Sequence, residues 1–154
     1  MPGKGREEGV KELMLSLLTW ISVNTPLAYD GAPLPELVRA SENQLTHMSF
    51  HGELPQGTKA DRSVVGVYLP EEHNVYLSND VDLATVEGRA VLLHELVHYL
   101  QYENGLHKTA QCIAQLEQTA YAAEAKYLLQ RGKQPDFDAM QVSILSMCEW
   151  DQDA

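Results

Sequence analysis

One helical run, carrying His94-Glu95-Leu96-Val97-His98, constrains the fold of this chain more than any other feature. The run from Ala90 to Gln101 reads as one helix. Val86, Ala90, Leu93, Val97 and Leu100 recur at spacings of three and four and make one apolar stripe. Leu92, Leu96 and Tyr99 are apolar on a second side, while Glu87, Val91, His94, His98 and Gln101 share a neighbouring face. Such a helix is expected to be covered almost all round. Two histidines and a glutamate suit that position only if they are paired or bind a metal.

The spacing of the motif has a mechanical meaning. Residues i and i+4 lie on one face of a helix, so His94 and His98 can grip one metal ion with Glu95 beside it as a general base. This HExxH pattern suits zinc-dependent hydrolysis of peptides. A five-residue motif also arises by chance, and its plain reading is two half-buried polar residues on an amphipathic helix. Thr85 or Asp82 can cap the helix start, and Asn104-Gly105 is a natural stop.

A catalytic zinc takes three protein ligands and keeps one position open, so a third ligand has to come from elsewhere. Thr109 to Gln130 reads as a second helix, with Ile113, Leu116, Ala120, Ala123 and Tyr127 facing the core. Glu117, Tyr121 and Glu124 lie along the adjoining edge. The 18 residues between His98 and Glu117 are enough for a turn and a return on a facing helix. Ala120, one turn past Glu117, lets two helices approach closely. Glu124 is the rival ligand, and whichever glutamate is not used is expected on a solvated face. His107 fails the metzincin spacing, which needs Gly and His where Gln101 and Asn104 stand. His47, His51 and His73 have no ligand spacing among themselves and read as surface histidines.

HELVH followed by Glu117-Gln-Thr-Ala120 resembles the gluzincin group of metallopeptidases, in which an ExxA or ExxD segment on the next helix supplies a glutamate ligand. The resemblance implies His94, His98 and Glu117 as zinc ligands and Glu95 as the base. Two imidazoles and one carboxylate leave a divalent ion a net positive charge, which acidifies a water and polarises a carbonyl. Tyr121, one turn beyond Glu117, is the best placed second donor for an oxyanion; its plain reading is a packing tyrosine.

With 154 residues, no repeat and no low-complexity tract, residues 1–154 are expected to form a single zincin-like domain of α+β class. A net charge of −11 without a Lys/Arg cluster argues against a nucleic-acid groove. A peptide or protein substrate is the partner expected, while oligomeric state stays open. Leu13 to Val23 is about half the length of a membrane span, so it reads as an amphipathic helix with Leu13, Leu17, Trp20 and Ile21 inward. Glu7, Glu8 and Glu12 do not suit a signal sequence. Leu37 to Ala40 reads as a short strand and Glu42 to Phe50 as a short helix. Val64 to Leu69 and Val75 to Leu77 read as two strands joined by the loop Pro70–Asn74. The second of these strands is expected to border the cleft and to pair with an extended substrate.

The order of landmarks also resembles a narrower bacterial family of short chains of metallopeptidase type, known only as a domain of unknown function. Its layout is a Leu/Trp-rich first helix, two strands, an HE(L/M)VHxLQ helix, a Cys before an ExxAY helix, and a final Cys. Leu17 to Val23, Val67 to Leu77, His94 to Gln101, Cys112 with Glu117 to Tyr121, and Cys148 match it here. The family's usual glutamine seven residues after the ligand glutamate is Glu124 in this chain. The resemblance implies a Cys112–Cys148 disulfide, contributing about 3 kcal/mol if formed, against two buried thiols as the plain reading. The absence of a recognisable signal peptide suggests the cytoplasm, whereas the disulfide would suggest export. A zinc-binding but non-hydrolytic interaction or regulatory domain is the alternative function.

Overall fold

A computed structural model describes residues 2–50 and 65–137. Its element order is α1 (Pro2–Asn24), β1 (Glu36–Ala40), α2 (Glu42–Phe50), β2 (Gly66–Leu69), β3 (Asn74–Ser78), α3 (Val86–Glu103), a 3₁₀ turn (Leu106–Lys108) and α4 (Ile113–Gln130). The class is α+β, with a small mixed three-stranded sheet and four helices among the described residues. No helix among them is long and apolar enough to cross a membrane.

Helix α3 lies at the centre. Leu92, Leu93, Leu96, Val97 and Tyr99 are fully buried, and so are Ala90 and Leu100. Apolar residues on several sides of one helix require several partners. Helix α1 supplies Met14, Leu17, Leu18 and Ile21, α4 supplies Ala120, Ala123 and Tyr127, and the sheet supplies Tyr68, Val75 and Leu77 to the same core. The other sheet face is covered by α2, where Leu45 packs with Ala40 and Val67. Residues alternate between the two faces along β2 and β3, as the period of a strand requires.

Local chemistry fixes where α3 begins. Thr85 is its N-cap, with extended backbone and Oγ1 accepting from the Gly88 N–H at 2.9 Å. Thr85 also donates both its N–H and its hydroxyl to the Asp82 carbonyl. That carbonyl is so close to Gly88 that a Cβ there would sit 1.9 Å from its oxygen. The helix ends at Asn104, and Gly105 takes the left-handed conformation at φ 74°.

Two expectations are corrected. The second strand of the hairpin, β3, has no free edge with which to pair an extended substrate. The strand order is β1-β3-β2, with β1 parallel and β2 antiparallel to β3, so both edges of β3 are paired. Residues Glu36 to Ala40 reach across the chain to take the edge that the hairpin left open. The strand with an unpaired edge against α3, among the described residues, is β2. Helix α4 starts at Ile113 rather than Thr109, because Leu106–Lys108 form their own 3₁₀ turn and Cys112 takes the extended N-cap conformation. Cys148, half of the expected disulfide, lies outside the described residues, as does His51.

Candidate metal centre

The i and i+4 spacing on α3 places the His94 and His98 rings 5.0 Å apart, centroid to centroid. Helix α4 runs beside α3 and brings Glu117 to both. Glu117 Oε2 is 3.4 Å from His94 Nε2, and Oε1 is 2.5 Å from His98 Nε2. One donor atom from each of the three residues lies within 4.8 Å of the other two. A tetrahedral ion with bonds of about 2.1 Å holds its donors about 3.4 Å apart, which this cluster accommodates with small shifts. It is the only such group of three among the described residues.

The other ring nitrogens are already engaged. His94 Nδ1 is 2.8 Å from Glu124 Oε1, and His98 Nδ1 is 2.8 Å from Gln101 Oε1. Gln101 then donates from Nε2 to the Leu116 carbonyl at 2.9 Å, one residue before Glu117. A carboxylate or an amide oxygen can only accept, so each histidine places its proton on Nδ1. Nε2 is then the nitrogen of each ring that faces Glu117. His98 Nε2 is buried and makes no hydrogen bond, since the nearby Glu117 oxygen lies outside hydrogen-bond geometry. A buried, unsatisfied imidazole nitrogen aimed at a carboxylate and a second imidazole is what a metal ion would complete. The residues fit the ion.

Charge is concentrated here. Burial alone would raise the Glu117 carboxyl, but His98 and His94 hold it well below the usual carboxylate range. Burial works to lower the His94 ring, yet Glu117, with Glu124 and Glu95 behind it, carries it well above the ordinary histidine value. His98 is raised for similar reasons against the same burial. Three carboxylates and two imidazoles form a site whose charge a divalent cation would balance.

Glu95 is buried on the sheet side of α3, and burial raises its carboxyl while the two imidazoles pull it back. It packs under β2, where a Cβ on Gly66 would sit 3.1 Å from both its Cγ and its Oε2. The Tyr121 ring lies edge-on to His94 at 4.5 Å and also meets the Phe137 ring at 5.0 Å. The structure therefore gathers His94, His98, Glu117, Glu95 and Tyr121 in one place.

Glu124, the rival for the third position, lies outside the cluster of three donors and sits behind His94 on the Nδ1 side. Nor is it on a solvated face, as the unused glutamate was expected to be, because it is 3% exposed. Glu117 is the more open of the two, with 39% of its side chain exposed. Gln101 is the residue whose part sequence reasoning missed; a polar side chain one turn past His98 on a helix buried all round was the available signal. His107 is exposed and stacks on Tyr102, outside the cluster. His47 is exposed, as expected. His73 is more than a surface residue, since its Nε2 meets the Pro33 carbonyl at 2.9 Å and its ring packs edge-on to Tyr99.

Fold and site together define an α+β protein with a helix-borne His-His-Glu cluster that can hold one metal ion. The chain belongs to the family described as Domain of unknown function (DUF6647), whose profile matches residues 6–153. No curated protein and no solved structure matches it.

Proposed function

We propose that this protein is a zinc-dependent metallopeptidase of gluzincin type on a zincin-like fold, with His94, His98 and Glu117 as ligands. One observation carries the reading. Both histidines are fixed through Nδ1 by Glu124 and Gln101, which leaves both Nε2 atoms facing one carboxylate, that of His98 buried and without a hydrogen bond. Histidines serving only as core residues would have no need of an unsatisfied nitrogen. Two imidazoles and a carboxylate are the donor set of a catalytic zinc with one position left open.

Zinc bound there would acidify a water and polarise a scissile carbonyl. Glu95, adjacent to the cluster and raised by its burial, would take the water's proton and later give it to the leaving amine. Tyr121, in contact with His94, is placed to donate toward the oxyanion. The edge of β2 that is unpaired among the described residues is suited to an extended peptide. Val65 O accepts from Ser78 N–H, so the backbone groups of Gly66 and Tyr68, one residue out of phase, point away from β3. A peptide paired to them would run past Glu95.

The test is peptide-library cleavage by the zinc-loaded chain with Glu95→Gln beside it. Wild type should cleave, and Glu95→Gln should lose about 100- to 10,000-fold while still binding zinc. A wild type that binds zinc and cleaves nothing would leave the non-hydrolytic zinc-binding module as the account.

A further inference from the structure

Gly66 stands in the strand β2 where the backbone itself does not ask for glycine. Its φ is not in the left-handed region, which among the described residues holds only Gly31, Gly105, Gly132 and His73. It pairs in regular antiparallel register with Leu77. Gly66 opens β2, directly after the ladder bond from Ser78 N–H to Val65 O, and a glycine within such a ladder marks a place where something approaches closely. Here that is the Glu95 side chain. A Cβ at residue 66 would lie 3.1 Å from Glu95 Cγ, 3.1 Å from Glu95 Oε2 and 3.2 Å from Leu77 Cδ2.

The two atoms of Glu95 so contacted include one oxygen of the carboxylate that acts as base. Its freedom to move aside is small. Glu95 is 6% exposed, and its helix neighbours Leu92, Leu93, Leu96 and Tyr99 are fully buried. We infer that Gly66 is a positioning residue for the general base: the bare backbone of β2 forms the wall against which the Glu95 carboxylate is set beside the metal cluster. The inference rests on the hydrolase reading and deepens it. The sheet contributes to catalysis through this missing side chain, while all three metal ligands come from α3 and α4. Gly66 itself touches neither the metal nor the reacting atoms.

Two measurements on the full chain test it. The first is a stability cycle, read whether or not peptide is cleaved. Gly66→Ala should lower the thermal midpoint in wild type and lower it distinctly less in Glu95→Ala, where Cγ and Oε2 are gone. Equal losses in both backgrounds overturn the inference. Should Gly66→Ala fail to fold alone, a folded Gly66→Ala/Glu95→Ala chain that still takes up zinc supports it, and failure of both overturns it. The second is kinetic. Gly66→Ala should keep its zinc and its KM within a few-fold and lose kcat about 10-fold, because a contact of 3.1 Å displaces the carboxylate by a fraction of the 1 Å that costs about 100-fold. Added to Glu95→Gln it should cost nothing further. Wild-type kcat in Gly66→Ala overturns this assignment alone, whereas a wild type that cleaves nothing overturns the hydrolase reading.

Discussion

Glu124 holds His94 from behind, its Oε1 2.8 Å from Nδ1, while His94 Nε2 faces Glu117. The pair is buried on both sides. This fixes the ring's orientation and its tautomer, which is how a carboxylate behind a histidine raises its quality as a ligand. Glu124→Ala should therefore weaken zinc binding about 10- to 100-fold without removing a ligand. Competition with a chelator measures it, and Glu124→Gln, which keeps an acceptor oxygen, should recover most of the affinity.

Gln101 does the same for His98 and adds a tie to the next helix through the Leu116 carbonyl. Gln101→Leu keeps the volume but leaves the His98 Nδ1–H without its acceptor, while the Leu116 carbonyl keeps only its bond within α4. The orphaned group costs about 1–3 kcal/mol. The metal-free chain should lose stability in urea by that order, and zinc affinity should fall with it. Unchanged stability would mean that water replaces the amide.

The start of α3 is tested away from the metal. Gly88→Ala places a methyl group 1.9 Å from the Asp82 oxygen, where only backbone movement makes room. A loss of roughly 1–3 kcal/mol or more is expected from such overpacking. The urea midpoint reads it, and Gly9→Ala, with nothing within 4 Å of its Cβ, is the comparison.

Tyr68 and Tyr99 meet edge to face at the junction of β2 and α3. Burial, and then the nearby Glu103, pushes the Tyr68 hydroxyl up to about 12, and Tyr99 is raised further by the same causes. The favoured form is the neutral phenol. Their contribution is therefore fully present below the unfolded value near 10 and is lost as pH rises through the folded values. Stability should fall steeply from about pH 10 upward, and the tyrosinate absorbance of these two residues should appear together with unfolding. Ionisation of all tyrosines near pH 10 in a chain that stays folded would contradict this.

The parts of the site that follow helix periodicity were legible in the sequence. His94 and His98 share a face because 3.6 residues make a turn, and Glu117 was reachable because two helices joined by a short connection lie side by side. The separate duties of Glu117 and Glu124 were not legible. Both lie on one edge of α4, and only the angle between α3 and α4 decides which faces Nε2 and which faces Nδ1. The sheet order was hidden for a related reason. A hairpin loop announces that β2 and β3 pair, but nothing local tells which of them β1 will join. That choice made β2 the edge strand and put Gly66, unremarkable in the sequence, against Glu95. Tyr121, one turn from Glu117, lies with its ring edge-on to His94, a contact that also depends on how α4 packs on α3.

The most direct test of the account is zinc content per chain, measured on purified wild type, His94→Ala and Glu117→Ala after loading and exhaustive dialysis. The account predicts one zinc per wild-type chain and its loss from both variants, with all three proteins folded. No zinc in wild type, or zinc retained by Glu117→Ala, would contradict it.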